Sequence, residues 1–261
     1  MFSDLLDDID NYSIHPEKIL DVPFVPTDEI MVEAMLNLAD VGPTDVLYDL
    51  GSGDGRILIA AAKDRDTRGI GIDIDPMRIA DAMEYAGWSG VEYLVDFIEE
   101  DIFDADFRDA TVVTLYLLQS INVQLRPRLL SQLRPGARIV SHAFDMGEWK
   151  ADEWFNLGGV NVYKWIVPAQ VAGVWAWEGL DGKSYRVELQ QKYQKVTGTA
   201  WMNGRKMRFN EAELYGNRLD IQLQESQTSL SGMFTLNFEH NKLVSVVCDQ
   251  KIMRMGNAIY A

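Results

Sequence analysis

Hydrophobic and polar residues follow two alternating periods over the first two thirds of the chain. Short apolar runs, typical of buried strands, alternate with stretches whose apolar residues recur every three or four positions, as on one face of a helix. Strands joined in this way by helices lie parallel in one sheet, with right-handed crossovers. The pattern predicts strands at 45–50, 67–73, 91–98, 111–118 and 137–144, and helices at 28–41, 55–64, 75–87 and 120–136.

Local signals mark where this first unit begins and ends. Thr27 precedes acidic residues and an apolar helical pattern, which predicts that it is the N-cap of the first helix. The alternation of strands and helices stops before residues 153–168, which predict a hairpin that turns at Gly158 and Gly159. We therefore expect the α/β domain to end near Pro168.

From residue 169 onward the pattern changes. Segments of alternating polar and apolar residues, one of them running from 184 to 202, are separated by turn-forming residues. This arrangement predicts an antiparallel meander, either closed into a barrel or packed as a sandwich. Trp175 and Trp177 are expected in its core. The turns are expected at Asp181–Gly182, Asn203–Gly204, Gly216–Asn217 and His240–Asn241.

Composition agrees with a folded protein of several parts. Hydrophobic residues make up 47% and charged residues 25% of the chain, as in ordinary globular domains. No apolar run is long enough to cross a membrane, and the first residues are acidic where a signal peptide would be basic. We expect a cytoplasmic protein without a membrane partner, divided into an acidic segment at 1–21, an α/β domain at 22–168 and a β-rich domain at 169–261.

The net charge of −16 is unevenly distributed. Residues 1–169 contain 31 acidic and 13 basic residues, whereas residues 170–261 contain 9 and 11. An acidic field repels nucleic acid and attracts cations, so no nucleic-acid partner is expected. A single cysteine, Cys248, excludes an internal disulfide, and with three histidines in the chain no metal site is expected.

A glycine-rich loop follows the first predicted strand, in the stretch "DLGSGDGRIL" at residues 49–58. Its glycines do not have the G-x-G-x-x-G spacing of dinucleotide-binding loops, and the lysine of a Walker loop is missing. Asp54 beside the following helix would also repel a phosphate. Asp49, Asp73 and Asp101 come at or near the ends of three strands, so a parallel sheet brings three carboxylates to one edge. The loop therefore favours a neutral or cationic cofactor.

The segments "VLYDLGSGDGR", "GIGID" and "EDIF" together resemble the successive cofactor motifs of class I S-adenosylmethionine-dependent methyltransferases. The resemblance covers residues 22–167 and implies a Rossmann-like sheet that binds S-adenosylmethionine. It implies that Asp49 holds the cofactor's ammonium group, Asp73 its ribose hydroxyls and Asp101 its adenine amine. Turn formation at Asp73 and Asp101, and close packing at Gly55, are the simpler roles left open. The implied cofactor-binding residues are Asp49, Gly51, Ser52, Gly53, Gly55, Asp73, Ile74, Asp101 and Ile102.

The segment "DVPFVPTDEIM" at 21–31 adds a second resemblance. With "TVVTLYLL", it is similar to small archaeal protein-lysine methyltransferases and to the mitochondrial lysine methyltransferases that modify the adenine nucleotide translocase and ATP synthase subunit c. The resemblance implies that this element closes over the cofactor, so that Phe24, Val25, Pro26 and Thr27 line the site, although a plain linker is the alternative. It also implies that the methyl acceptor is a protein lysine.

The end of the fourth strand is expected to face the methyl acceptor. The Asn/Asp-Pro-Pro-aromatic tetrapeptide of many nucleic-acid amino-methyltransferases is absent, which argues against a DNA base as the acceptor. Tyr116 is the candidate for orienting the acceptor, with Thr114, Gln119 and Asn122 behind it, and packing at a strand end is its simpler role. His142 ends the fifth strand, where a general base could lie, but a structural histidine is favoured.

Two other functions stay open from sequence alone. A small-molecule N- or O-methyltransferase would share this fold, and a non-catalytic cofactor-binding or scaffold protein would keep the loop without turnover. The small lysine methyltransferases lack the β-rich domain, whose first strand is similar to the Gly-x-Trp strand of lipocalin-like barrels. It could dock a protein substrate or complete a homodimer.

Overall fold

The computed structural model describes residues 24–180, 182–225, 231–248 and 251–255, so the acidic segment 1–21 and the predicted turn residue Asp181 lie outside the described residues. The strands of a first sheet are β1 (Val46–Leu50), β2 (Arg68–Asp73), β3 (Val95–Glu99), β4 (Val112–Leu115), β5 (Arg138–His142), β6 (Glu153–Leu157) and β7 (Val160–Ile166). Their order in the sheet is β3-β2-β1-β4-β5-β7-β6. The first five strands are parallel, and the β6–β7 hairpin adds two antiparallel strands at the β5 edge.

Helices cover both faces of this sheet, which confirms the α/β class. Of the four helices, the first three along the chain pack on one face, in a core that includes Leu36 and Leu58. The fourth packs on the other face through Leu125 and Leu129. In the described part of the chain, no helix is long and apolar enough to cross a membrane. The helices are α1 (Glu29–Leu38), α2 (Arg56–Arg65), α3 (Pro76–Ser89) and α4 (Gln119–Gln132).

Several predicted boundaries of this unit were wrong; β4, for example, ends at Leu115 and α4 at Gln132, where the pattern predicted ends at 118 and 136. The N-cap of α1 is Asp28, not Thr27, because the Asp28 carboxylate accepts a hydrogen bond from the Met31 amide at 2.9 Å. The third strand begins at Val95, not at Val91, because the amide of Leu94 donates to the Val91 carbonyl and closes a turn there. The hairpin with its turn at Gly158 and Gly159 is confirmed.

The second sheet is an antiparallel, nearly closed barrel, as the meander pattern predicted. Its strands are β8 (Gly173–Glu178), β9 (Ser184–Lys192), β10 (Lys195–Met202), β11 (Arg205–Tyr215), β12 (Arg218–Glu225), β13 (Ser231–Glu239), β14 (Lys242–Cys248), β15 (Lys251–Ile252) and β16 (Arg254–Met255). β8 to β14 pair in chain order, β15 pairs with β14, and β16 pairs with β8. The stretch from β15 to β16 therefore joins the two edges of the sheet.

The interior of the barrel is filled with aromatic and aliphatic side chains. Trp177 is 1% exposed, and its ring stacks on Tyr185 at 5.6 Å between centroids. Trp175 meets Phe238 edge to face at 5.2 Å, which confirms that both tryptophans are core residues. The aromatic rings fill the centre of the barrel and help to hold its strands together.

The turns of the barrel fall mostly where the sequence predicts them. The expected turns at Asn203–Gly204, Gly216–Asn217 and His240–Asn241 all separate neighbouring strands. The stretch 184–202, however, is not one segment but two strands joined by a turn at Tyr193. Tyr193 has a φ of +57°, a conformation that glycine or asparagine normally adopts, so the sequence carries no turn signal there.

Candidate active site

A cavity opens at the carboxyl edge of the parallel strands, next to the ends of β1, β2 and β4. The extended segment that precedes α1 forms one wall of it. The predicted site residues that line the cavity are Phe24, Val25, Pro26, Thr27, Asp49, Gly51, Ser52, Asp73, Ile74, Asp101, Ile102 and Tyr116. The predicted residues that do not line it are Gly53, Gly55, Thr114, Gln119, Asn122 and His142.

The glycine loop has left-handed backbone at each of its three glycines. Gly53 has a φ of +53°, and a Cβ there would lie 2.4 Å from the ring of Phe24. Gly55, at +75°, lies behind the loop, where a Cβ would be 2.5 Å from Phe97. The role of Gly55 in this structure is close packing, the simpler role left open, while Gly53 lets the aromatic wall of the cavity approach the loop.

Asp73 ties the end of β2 to the glycine loop. One of its carboxylate oxygens accepts from the Gly53 amide at 2.8 Å, and the other accepts from the Asp75 amide at 2.9 Å. Asp101 makes a similar local contact, because it accepts from the Phe103 amide at 2.8 Å. Both side chains therefore shape turns and also line the cavity, so the two roles considered for them are compatible.

Asp49 is the most perturbed acid of the site. It is 3% exposed, and burial raises the pKa of its carboxyl group to about 7, against the opposing hydrogen bond that Thr114 donates at 2.7 Å. The nearby carboxylates of Asp73 and Asp54 raise the pKa further. Thr114 thus lies beneath Asp49, not at the acceptor end where it was expected. A cation next to Asp49 would stabilise its ionised form.

Two features of the cavity fit a ligand with an amino-acid end. Ser52 lines the cavity, and its buried hydroxyl has no hydrogen-bond partner among the described residues, as is expected of a group that a ligand would satisfy. The Asp49 carboxyl group next to it suits an ammonium group. Among the described residues, no group of three His, Cys, Asp or Glu side chains could hold a metal ion.

Arg56, which the sequence analysis missed, links the wall of the cavity to the glycine loop. Its guanidinium pairs with Asp54 and donates to the Thr27 carbonyl at 2.8 Å. Arg78 on α3 lies 4.8 Å from the centroid of the Phe24 ring and holds the same wall. The sequence feature that could have identified Arg56 is its position directly after Gly55, the last glycine of the loop.

Tyr116 and His142 form a stacked pair at the other end of the cavity. Their ring centroids are 3.9 Å apart and their planes differ by 29°. Burial lowers the pKa of His142, although the charge of Asp28 opposes the shift, so the imidazole is neutral at pH 7. Its Nδ1 lies 3.5 Å from the Thr27 hydroxyl. The ring of Tyr116 is therefore packed, and it also faces the cavity.

Gln119 and Asn122 support this end of the cavity from outside its lining. Gln119 donates to Asp145, and Asn122 donates to the Ser141 hydroxyl and to the Phe144 carbonyl, both at 3.2 Å. Both residues connect the start of α4 to the chain that follows β5. Their contacts are with the protein, not with the space that Tyr116 faces.

Solved structures and known sequences resemble this protein over about half of its chain. It is 54% identical to an RNA methyltransferase from Salinibacter ruber in complex with S-adenosyl-L-homocysteine, with a TM-score of 0.56 over 56% of this chain and 96% of that chain. It is 40% identical to a protein-lysine N-methyltransferase of Saccharolobus islandicus, over 56% of this chain and 94% of that protein. It is 32% identical to the adenine nucleotide translocase lysine N-methyltransferase of Mus musculus, over 50% of this chain and 57% of that enzyme.

The Rossmann-like sheet, the glycine loop and these similarities define an S-adenosylmethionine-dependent methyltransferase, and S-adenosylmethionine is its cofactor. Residues 49–153 match the family described as the ANTKMT methyltransferase domain. The chain belongs to this family.

The raised pKa of Asp49 predicts a pH-dependent affinity for S-adenosyl-L-homocysteine. An ammonium group needs the ionised carboxylate, and with a pKa of about 7 the ionised fraction falls as the pH decreases. Between pH 7 and pH 5.5 we expect the affinity, measured by calorimetry, to fall roughly 15-fold, while the ligand amine stays protonated. Asp49→Asn should bind more weakly and lose this dependence; an equal dependence in the variant would exclude Asp49 as its source.

Proposed function

We propose that this methyltransferase acts on lysine side chains of a protein. The observation that carries the proposal is the similarity to the Saccharolobus islandicus protein-lysine N-methyltransferase, which extends over almost the whole of that protein. The mouse relative is also named as a lysine N-methyltransferase. The family match at residues 49–153 contains most of the residues that line the cavity.

The cofactor supplies a methyl group on a positively charged sulfur, and the acceptor nitrogen bonds to that carbon as the carbon–sulfur bond breaks. A lysine amine must first lose its proton, which at its ordinary pKa costs about 4.6 kcal/mol at pH 7. Holding the amine in line with the methyl group lowers the barrier by roughly 7–11 kcal/mol. Positioning can therefore exceed the cost of deprotonation.

The acceptor end suits such positioning. Tyr116 lines the cavity, and its ring is held against His142. We propose that Tyr116 orients the acceptor amine. Because His142 is neutral at pH 7, it presents no positive charge to an approaching lysine. The acidic excess of residues 1–169 favours a cationic acceptor over a nucleic acid.

On the cofactor side, we propose that Asp49 and Ser52 hold the amino-acid end, Asp73 and Ile74 the ribose, and Asp101 and Ile102 the adenine. Gly51 lets the backbone approach the ligand, since its φ is +83° and a Cβ would lie 2.8 Å from Leu117. The support for this assignment is that all seven residues line one cavity. Phe24, Val25 and Thr27 would form its wall.

The proposal is tested by methyl transfer in a native lysate of the source cell. Purified enzyme and labelled S-adenosylmethionine are added, and protein, RNA and small molecules are then separated. We expect the label in a protein band and, after peptide mass analysis, on lysine. The Asp73→Ala variant, added at the same concentration, provides the background.

Label in another fraction would contradict the proposal. Label confined to RNA would indicate that the acceptor resembles that in the name of the Salinibacter ruber enzyme. Label confined to small molecules would indicate a metabolite methyltransferase. Cofactor binding without label in any fraction would favour a scaffold role.

A further inference from the structure

The β9–β10 hairpin of the barrel reaches the loop that follows β5. We call this loop, residues 143–152, the acceptor-side loop. The ring of Tyr193 at the hairpin turn stacks on Trp149, with centroids 5.9 Å apart and planes 20° apart. The guanidinium of Arg126 on α4 lies 5.3 Å from the centroid of the same tyrosine ring. Tyr193 is thus in contact with both the loop and the helix beside it.

The residues on either side of Tyr193 contact the same loop. Gln194 donates to the Lys150 carbonyl at 2.7 Å and to the Asp152 carboxylate at 3.2 Å. Lys192 pairs with Glu148 at 3.0 Å, but both side chains are mostly exposed, so this pair adds little. The stacking of Tyr193 and the hydrogen bonds of Gln194 are therefore the main attachments.

The backbone at this contact is strained. Tyr193 adopts a φ of +57°, which a bulky side chain disfavours and which glycine would adopt freely. Strain of this kind persists where surrounding contacts hold a residue in place, and it is found most often at functional positions. The tyrosine at this turn provides the ring that reaches Trp149.

The acceptor-side loop carries this contact to the end of the cavity. Arg126 donates to the Met146 carbonyl at 2.7 Å. Asp145 accepts from Gln119 at the start of α4, three residues after Tyr116. The loop is thereby attached to the helix that follows the proposed acceptor-orienting residue.

A second strained turn connects the loop to His142. Ala143 has a φ of +68°, and the amide of Phe144 donates to the His142 carbonyl at 2.8 Å, which closes a very tight turn. Asn122 and the Ser141 hydroxyl both donate to the Phe144 carbonyl. A shift of the loop would therefore move His142 and the Tyr116 ring stacked on it.

We propose that the β9–β10 hairpin is a positioning element that holds the acceptor-side loop, and through it the Tyr116–His142 pair, in place for methyl transfer. The barrel would then act on the acceptor step of the reaction, not on cofactor binding. The transfer part of this inference rests on the proposed function, whereas the attachment of the loop does not.

The test compares three variants of the full chain. Tyr193→Gly removes the ring at a turn whose backbone glycine adopts without strain. His240→Gly is the matched control, since His240 is an exposed hairpin residue with a φ of +48° in the same barrel. Tyr193→Phe keeps the aromatic ring and should behave like the wild type.

Three quantities are measured for each variant. Hydrogen–deuterium exchange of residues 143–152 should be about tenfold faster in Tyr193→Gly. The rate of label incorporation into the protein fraction of the lysate should fall about tenfold in the same variant. The dissociation constant of S-adenosyl-L-homocysteine should change by less than about twofold. His240→Gly and Tyr193→Phe should match the wild type in all three.

Each failure has a distinct meaning. Unchanged exchange in Tyr193→Gly would overturn the attachment of the loop. Faster exchange with an unchanged labelling rate would overturn its role in transfer, as would an equal loss in His240→Gly. A wild-type enzyme that labels no protein would contradict the proposed function, and the exchange data would still decide whether the hairpin holds the loop.

Discussion

Asp73→Ala should weaken the binding of S-adenosyl-L-homocysteine by about 100-fold, equivalent to about 2.7 kcal/mol. Hydrogen bonds to a charged group contribute about 1.5–3 kcal/mol each, and the two ribose hydroxyls assigned to Asp73 would lose theirs, so about 100-fold is the lower bound of the expected loss. The substitution also releases the Gly53 and Asp75 amides, which loosens the glycine loop. Both effects act against the bound ligand.

Calorimetry at neutral pH measures this loss. Asp73→Asn keeps the shape and one acceptor oxygen but removes the charge, so its affinity should be intermediate. Asp96→Ala on the neighbouring strand is the control, because that exposed carboxylate lies 4.0 Å from Arg68 and makes little contribution. Wild-type affinity in Asp73→Ala would remove Asp73 from the cofactor site.

Gly53→Arg should abolish detectable cofactor binding and methyl transfer. The φ of +53° disfavours any side chain, and a Cβ would lie 2.4 Å from the Phe24 ring, which forms part of the cavity wall. The ring would have to leave its place over the loop, and the arginine would extend into the region of the cavity. The loss of affinity for S-adenosyl-L-homocysteine should therefore exceed that in Asp73→Ala.

Gly158→Arg is the matched control for this substitution. Gly158 has a φ of +59° at the exposed β6–β7 turn, and a Cβ there would meet nothing within 4 Å. Both substitutions impose similar backbone strain, so a loss of ligand affinity in Gly53→Arg beyond that in Gly158→Arg, measured by calorimetry, reports the clash with Phe24. Normal activity in Gly53→Arg would contradict the assignment of the loop.

The features of the fold that depend on residues close together in the chain were predicted from the sequence. The periods of apolar residues predicted the parallel strands, and turn-forming pairs such as Gly216–Asn217 predicted the hairpins of the barrel. Strand ends then brought Asp49, Asp73 and Asp101 to one cavity, because parallel strands share an edge. These properties follow from local pattern and topology, so a single sequence was enough.

Contacts between distant residues were beyond the sequence. Thr114 lies on β4 at the position that pairs with Asp49 of β1, and this register decides that it supports Asp49. The stack of Tyr116 on His142 likewise depends on how two strand ends meet. Tyr193 was missed for a third reason, since tertiary contacts, not its own preference, hold the turn.

The barrel is completed by very few residues. β15 and β16 lie within residues 251–255, and they cover the open sides of β14 and β8 respectively. Cleavage or displacement of this stretch would expose unpaired backbone on both strands at once. Because exposed strand edges recruit strands from other chains, we expect loss of residues 251–255 to promote domain swapping and aggregation.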